Sequence, residues 1–482
     1  METHLWQSSM KPKNNSSKRK DKGALSSGEK VCYGVGSAND AWGNWLLPAI
    51  AWPVFNVFLG LAPELVSLGL LWNRLIDAVS DPFFGWASDN TRSRWGRRRP
   101  YILIGGILAG LGMMAFFWFL QPGWAAGSYY WYLVIGSGIL ITLVSCFNMP
   151  YQSLGAEMTP DYEERTSVFA FRGGLQKVAE IGNFGAAAFI TMAVFRGDIL
   201  FGVKVFAVII GILMISAAIT VFLGTHERYY QRAATEANRV GIIETFTGAL
   251  KCRPFRIQLV MAVAYGTCTS MIGTLGLYTT VYYVCGGDWA LGGKWNLMMG
   301  ASMVLVGFLG VPFFSAIAHR WGKKPAMQLV LILSIIAYAA TWVLYNPEYP
   351  YLQIVTSGFN AFTMAGFWML FGAIGADVMD YDELESGKRR EGAFSACGSY
   401  LIKIGLAIGM GASGFVLKWS GFDEKLTGGQ SEHTLTMMRV FLAVIPIIGL
   451  VLAFIALWNF RLTRVEVLEI RRKLEDRRGS VN

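Results

Sequence analysis

The chain has 482 residues, 54% of them hydrophobic and only 15% charged, with a formal net charge of +10. Soluble domains carry about 25% charged residues, so this composition excludes an ordinary globular protein and predicts a helical membrane protein that crosses the bilayer many times. The positive excess is not a nucleic-acid footprint, because it gathers in loops on one side of the apolar runs, where anionic lipid headgroups are the matching partner.

The first 28 residues are polar and contain KPKNNSSKRKDK. A cleavable signal peptide needs an apolar stretch there, so the segment reads as a disordered basic tail. A spanning helix needs about 20 apolar residues. Such runs follow at 31–59, 64–88, 100–120, 129–155, 167–195, 200–223, 254–285, 296–318, 325–345, 351–380, 393–419 and 437–460. The expected architecture is therefore all-α and polytopic. An N-terminal six-helix bundle covers 29–224, a connector 225–252, a C-terminal six-helix bundle 253–460 and a tail 461–482.

Loop charge predicts the orientation. Arg92, Arg94, Arg97, Arg98 and Arg99 follow the second run, and Arg320, Lys323 and Lys324 the eighth. Lys388, Arg389 and Arg390 follow the tenth, and the connector and the tail are also basic. The loop after the third run, QPGWAAGS, has no Lys or Arg, and the loop after the seventh has only Lys294. Both termini and the connector are thus expected in the cytoplasm. A weak repeat accompanies this pattern: GWASDNTRSRWGRR at 85–98 and PFFSAIAHRWGKK at 312–324 are apolar helix ends followed by a basic R-W-G turn. Six plus six helices about a connector is the repeat plan of secondary transporters, with the substrate near the midplane between the halves.

Other functions lack their chemistry. The four histidines (His4, His226, His319, His433) lie in tails or loops, whereas an intramembrane metalloprotease or haem protein needs His in its spans. The six cysteines form no C-x-x-C pair, which argues against a disulfide framework or zinc cluster. There is no phosphate loop for ATP. The short loops argue against an enzyme, and the 461–482 tail is too short for the output domain of a non-transporting sugar sensor.

Charges inside the apolar runs mark the working part. Arg74, Asp77 and Asp81 are spaced three and four apart and share a helix face. A structural ion pair between Arg74 and one Asp leaves the other carboxylate over, and two carboxylates one turn apart resist joint ionisation unless a proton or metal cation joins them. The expectation is a cation site on a transport path. In the fifth run Lys177 and Glu180 are three apart and are expected to pair. Arg172 has no partner at helical spacing, which leaves a substrate hydroxyl, a substrate carboxylate or a carboxylate on another helix. Lys403 also lacks a partner on its own helix, and Asp77 or Asp81 is the expected one. Trp368 offers a flat face suited to a sugar ring, or to ordinary helix packing.

The stretch DAVSDPFFGWASDNTRSRWGRRRP at 77–100 resembles the glycoside–pentoside–hexuronide:cation symporter family of the major facilitator superfamily, whose best-known members are the melibiose permeases. ADVMDYDELESGKRREG at 376–392, followed by LIKIG, and NMPYQSLGAEMTPDYEERT at 148–166 strengthen the resemblance, which covers about residues 30–460. It implies the major facilitator fold and secondary active symport of a sugar or glycoside with Na⁺ or H⁺, without a cofactor, by a monomer in a bacterial inner membrane. Asp77 and Asp81 match the family's cation-binding pair, with Ser80 where sodium-using relatives have Asn. Ser145 matches a Thr that completes the site, and such oxygen ligands suit Na⁺. Asn148 stands for a sugar-binding Asp and keeps donor and acceptor capacity, while Gln152 replaces a Trp that stacks on sugar. Asp40 or Asn39 falls at another sugar-binding Asp. Arg172 matches a sugar-binding Arg, Trp368 an aromatic of the sugar pocket, and Lys403, with Ser399 a turn earlier, a Lys near the cation. These departures turn attention to substrates other than galactosides, including hexuronides, sulfonated sugars and lysolipids. Asp89, Arg97 and Arg98 resemble the superfamily's cytoplasmic latch, with Asp380, Arg389 and Arg390 as counterparts in the other half. Plain positive-inside topology explains the arginines of this set but not the acids beside them.

Overall fold

The computed structural model describes residues 25–159, 162–227, 248–387, 391–426 and 429–478. Residues 1–24 of the expected tail, 228–247 of the connector, and Arg389 and Arg390 of the expected latch lie outside them. The described residues are almost entirely helical and contain no strand.

The first span is α1 (Ser27–Val35), α2 (Ser37–Ala51) and a π-helical continuation (Trp52–Phe58). Five long helices complete the first half: α3 (Pro63–Asn90), α4 (Arg99–Trp118), α5 (Ala126–Glu157), α6 (Tyr162–Ile190) and α7 (Ile199–Gly224). The second half repeats the plan. α8 (Arg253–Met271), the short α9 (Leu275–Tyr278) and a second π segment (Thr279–Val284) form its first span. They are followed by α10 (Trp289–Trp321), α11 (Lys323–Leu344), α12 (Leu352–Ser386), α13 (Glu391–Trp419) and α14 (Glu432–Trp458). The expected twelve runs are recovered in order. The first and seventh runs are broken helices, and the C-terminal tail contains a further helix, α15 (Arg464–Arg478), that packs on α12. Val467, Ile470 and Leu474 share the face of α15 turned into the second-half core.

Local chemistry sets the helix ends. Ser26 and Glu29 form a reciprocal capping box that starts α1. Pro63 opens α3 at a position where its missing N–H is harmless, and Ser431 caps α14. Nine helices among the described residues are long and apolar enough to cross a membrane by length and composition. α3 and α6 are long enough but carry charges, which a lipid-facing helix would not tolerate and a pathway-lining helix requires.

The helix pairings repeat between halves. In the first, α3 and α4 pack on α5, α4 on α7, and α2 on α6; in the second, α10 and α11 pack on α12, α11 on α14, and α8 on α13. The halves meet along two equivalent seams, α3 with α13 and α6 with α10. At the end away from the basic loops, one apolar core draws on both halves and includes Trp52, Phe55, Tyr278, Trp289 and Phe422. Toward the basic end the cores are separate, one built from the first half alone and one from the second. The halves therefore share one core at one end and keep separate cores at the other.

Candidate functional site

The acidic pair sits where α3 meets α13. Asp77 and Asp81 are both buried. Pro82 follows Asp81 directly and cannot donate to the carbonyl four residues back, so the backbone beside the carboxylate is less tightly bonded. Ser80 Oγ donates to Ser145 Oγ at 2.9 Å, and Ser145 Oγ donates to Asp77 Oδ1 at 3.3 Å. Lys403 reaches across the seam from α13: Nζ donates to Asp81 Oδ2 and stands 3.5 Å from Asp77 Oδ2. The four oxygen-bearing side chains expected to hold a cation thus converge, with an ammonium among them. The expected pairing of Arg74 with one Asp is present as a long contact to Asp77. Arg74 Nη1 is 3.9 Å from Asp77 Oδ2, while Nη2 donates to the Asn44 carbonyl on α2. The carboxylate left over in the sequence is matched by Lys403 from the other half.

A second pair lies on α2 and α6. Arg172 Nη2 donates to Asp40 Oδ2 at 3.1 Å, which selects the third of the partners left open for this arginine. Its guanidinium lies 5.5 Å from the centre of the Tyr151 ring. Tyr151 stacks on Tyr33 with centroids 4.7 Å apart, and its hydroxyl donates to the Tyr33 carbonyl at 2.8 Å, which fixes the floor under the arginine. Asn39 is buried and donates to the Met214 carbonyl at 3.0 Å, so it belongs to the α2–α7 contact and Asp40 faces the site. Asn148, one turn before Tyr151 on α5, is buried, and its Oδ1 has no hydrogen-bond partner; the same holds for Arg172 Nε.

The remaining expected residues are looser. Gln152 is half-buried on α5, and Ser399 is exposed a turn before Lys403. Trp368 is 36% exposed, with its ring edge-on to Phe367 at 5.3 Å and to Tyr265 at 6.2 Å. It is part of an aromatic cluster that leaves one side of the indole open. Lys177 and Glu180 pair at 2.7 Å, as their spacing predicts.

At the basic end Arg98 Nη2 contacts Asp89 at 2.8 Å and Glu157 at 2.7 Å, and Arg97 Nη2 contacts Glu157 at 2.5 Å. Glu227 accepts the backbone N–H groups of Arg97, Arg98 and Arg99 at 2.9, 2.7 and 3.1 Å, which caps α4. These ties bind helices of the first half to one another. In the second half Lys323 Nζ donates to Asp377 Oδ2 at 2.7 Å, and Asp380 is half-buried a turn further along α12. Sequence reasoning gave no role to Glu157, Glu227 or Asp377, although Glu157 and Asp377 lie within motifs it quoted and Glu227 at the start of the basic connector.

It also missed the opposite end. Tyr278, fully buried between the two π segments, donates to Asn56 Oδ1 at 2.6 Å, and Asn56 Nδ2 donates to the Leu61 carbonyl at 2.8 Å. Glu64 and Lys418 pair at 2.5 Å across the α3–α13 seam. A Cβ on Gly414 would lie 2.1 Å from the Pro63 carbonyl oxygen, and one on Gly293 would lie 2.7 Å from the Ala188 nitrogen. Only glycine permits either seam to close this far.

Two equivalent six-span halves, fused at one end, with charged side chains buried between them, define a secondary transporter of the alternating-access kind. The family model described as MFS/sugar transport protein matches residues 32–464, and the chain belongs to that family. Among its relatives, the putative glycoside/cation symporter YagG of Escherichia coli is 26% identical, over 94% of this chain and 95% of that protein. The isoprimeverose transporter of Lactiplantibacillus pentosus is 26% identical, over 84% and 83%, and the glucuronide carrier protein homolog of Escherichia coli is 24% identical, over 87% and 89%. Among solved structures, the D-xylose-proton symporter superposes with a TM-score of 0.64 at 13% identity, over 90% of this chain and 97% of that one, which establishes the major facilitator fold. These proteins are transporters and not enzymes. The chain is a multi-pass membrane transporter.

Proposed function

We propose that this protein is a symporter that carries a neutral sugar or glycoside inward with Na⁺ or H⁺. The basic loops and both termini face the cytoplasm of a bacterial inner membrane, and the working unit is a lipid-embedded monomer. The cation travels on Asp77, Asp81, Ser80 and Ser145, and the sugar on Asp40, Arg172 and Asn148, with Gln152, Trp368 and Ser399 at the edge of its pocket. The carrying observation is the Asp40–Arg172 pair at 3.1 Å, set over the Tyr151 ring on the helix that also carries Asn148 and Gln152. A hydroxyl both donates and accepts, so sugar hydroxyls can bond the carboxylate and the guanidinium of that pair.

Lys403 supplies the coupling. Bound between the carboxylates it acts as a tethered cation that holds α13 to α3. An entering Na⁺ or proton takes over those charges and frees Lys403, which loosens one seam between the halves. A membrane potential adds about 2.3 kcal/mol per charge per 100 mV, or roughly 50-fold accumulation.

The charge balance favours a neutral cargo over a hexuronide or other acidic sugar. Arg172 is matched by Asp40 and Lys403 by Asp81, so neither is an uncommitted cation for an anionic substrate. Uptake into proteoliposomes of isoprimeverose and of a methyl glucuronide, each with and without an inward Na⁺ or proton gradient, tests the proposal. Gradient-dependent uptake of the neutral sugar is expected. Uptake confined to the glucuronide, or independent of both gradients, overturns it.

A further inference from the structure

Asn44, on α2 one turn after Asp40, has no part in either site above, yet it touches both. Its Nδ2 donates to Asp40 Oδ1 at 2.9 Å. Its backbone carbonyl accepts from Arg74, whose Nη1 also lies 3.5 Å from Asn44 Oδ1. Arg74 is held against the neighbouring Trp45, 4.8 Å from the ring centroid, and the same Nη1 is 3.9 Å from Asp77 Oδ2. Since Asp40 Oδ2 takes Arg172, one row of contacts runs Arg172, Asp40, Asn44, Arg74, Asp77, Lys403. The row alternates cation and carboxylate everywhere except at Asn44. There an amide stands between the Asp40 carboxylate and the Arg74 guanidinium.

An amide is suited to that place because it offers a donor to Asp40 and an acceptor to Arg74 at once. Neither an aliphatic nor a carboxylate side chain does both. The arrangement shares Arg74 between two masters. When Arg172 turns to a substrate, Asp40 loses part of its partner and draws more strongly on the Asn44 amide and on Arg74 behind it. Arg74 then holds Asp77 less, and the acidic pair binds its cation more tightly. We propose that Asn44 is a positioning residue that couples the substrate pair Asp40–Arg172 to the cation pair Asp77–Asp81 by holding Arg74 between them. The inference rests on the two sites proposed above. By linkage, a coupling of this kind acts equally in both directions.

The test is a double-mutant cycle on the purified full-length protein, with no sugar present. Cation affinity is read as the Na⁺ concentration, or the pH, at half of the intrinsic tryptophan response. Arg172→Ala should shift that midpoint toward tighter binding by about fivefold or more in the native background, the low end of typical coupling. In an Asn44→Leu or Asn44→Asp background the same substitution should shift it by less than about twofold, because the amide that joins Asp40 to Arg74 is gone, while the backbone carbonyl of residue 44 still holds Arg74 in place. The Asp variant is isosteric, so it decides the matter if the Leu variant fails to fold. Equal shifts in all backgrounds overturn the role of Asn44 and leave the two sites standing. A response that survives combined Asp77→Asn and Asp81→Asn removes the cation site, and this coupling with it.

Discussion

Replacing Tyr278 with Phe removes one hydroxyl from the sealed end and nothing else. That hydroxyl donates to Asn56 Oδ1 at 2.6 Å inside a core shared by both halves, among Trp52, Trp289 and Phe422. Tyr278 and Asn56 are both fully buried, so the variant takes away the donor of the Asn56 oxygen in apolar surroundings. An unmet buried acceptor costs about 1–3 kcal/mol. The penalty applies only while this end is shut, because opening it hydrates Asn56. At tenfold per 1.4 kcal/mol, the balance between sealed and open states should move toward open by roughly 5- to 150-fold. Cys285, at the end of the second π segment and half-buried, is a built-in reporter. Its labelling by an impermeant maleimide added on the sealed side should accelerate at least severalfold in Tyr278→Phe and return toward the native rate when sugar and cation are both present inside. Labelling at the native rate would show that the Tyr278–Asn56 contact does not hold the gate.

Gly414→Ala should act on the same equilibrium by a steric route: the new methyl would meet the Pro63 carbonyl and Ser67 Oγ at 2.1 and 2.4 Å, so uptake should fall and Cys285 labelling rise. Gly127→Ala, whose Cβ meets nothing within 4 Å, is the matched control and should leave both unchanged. Lys403→Met should strengthen cation binding at the acidic pair. Opposite charges about 4 Å apart attract by about 4 kcal/mol at an effective dielectric of about 20. The Lys403 side chain is 37% exposed, so solvent screening reduces that figure, and a tightening of about tenfold is expected by calorimetry. An unchanged or weakened affinity would mean that Lys403 does not compete for the site.

Much of the scaffold was legible because the bilayer leaves the chain little choice. Every spanning segment must satisfy its own backbone and present apolar side chains, and all twelve runs were found with their ends within about seven residues. The breaks in the first and seventh spans were not legible. A π segment has no side-chain period that distinguishes Trp52–Phe58 or Thr279–Val284 from ordinary helix. The acidic pair on α3 announced itself through the expense of charge in lipid, and Lys403, 322 residues from Asp81, was legible as its partner because a lysine in an apolar run with no carboxylate on its own helix must find one on another. Asp40 and Asn39 were equally placed in sequence, and only the packing of α2 between α6 and α7 separated them. Tyr278 was hidden for a related reason. A tyrosine within an apolar run reads as membrane-interface decoration, and nothing local indicates that Asn56 will face it.

The acidic pair is the point on which the functional reading turns. The direct measurement compares Asp77→Asn and Asp81→Asn with the native protein in proteoliposomes, recording gradient-driven accumulation and sugar counterflow in the same preparations. Accumulation should be lost in both variants while counterflow persists, because the sugar pair Asp40–Arg172 is on other helices and remains intact. Native uphill accumulation in both variants would show that the driving cation crosses the membrane somewhere else.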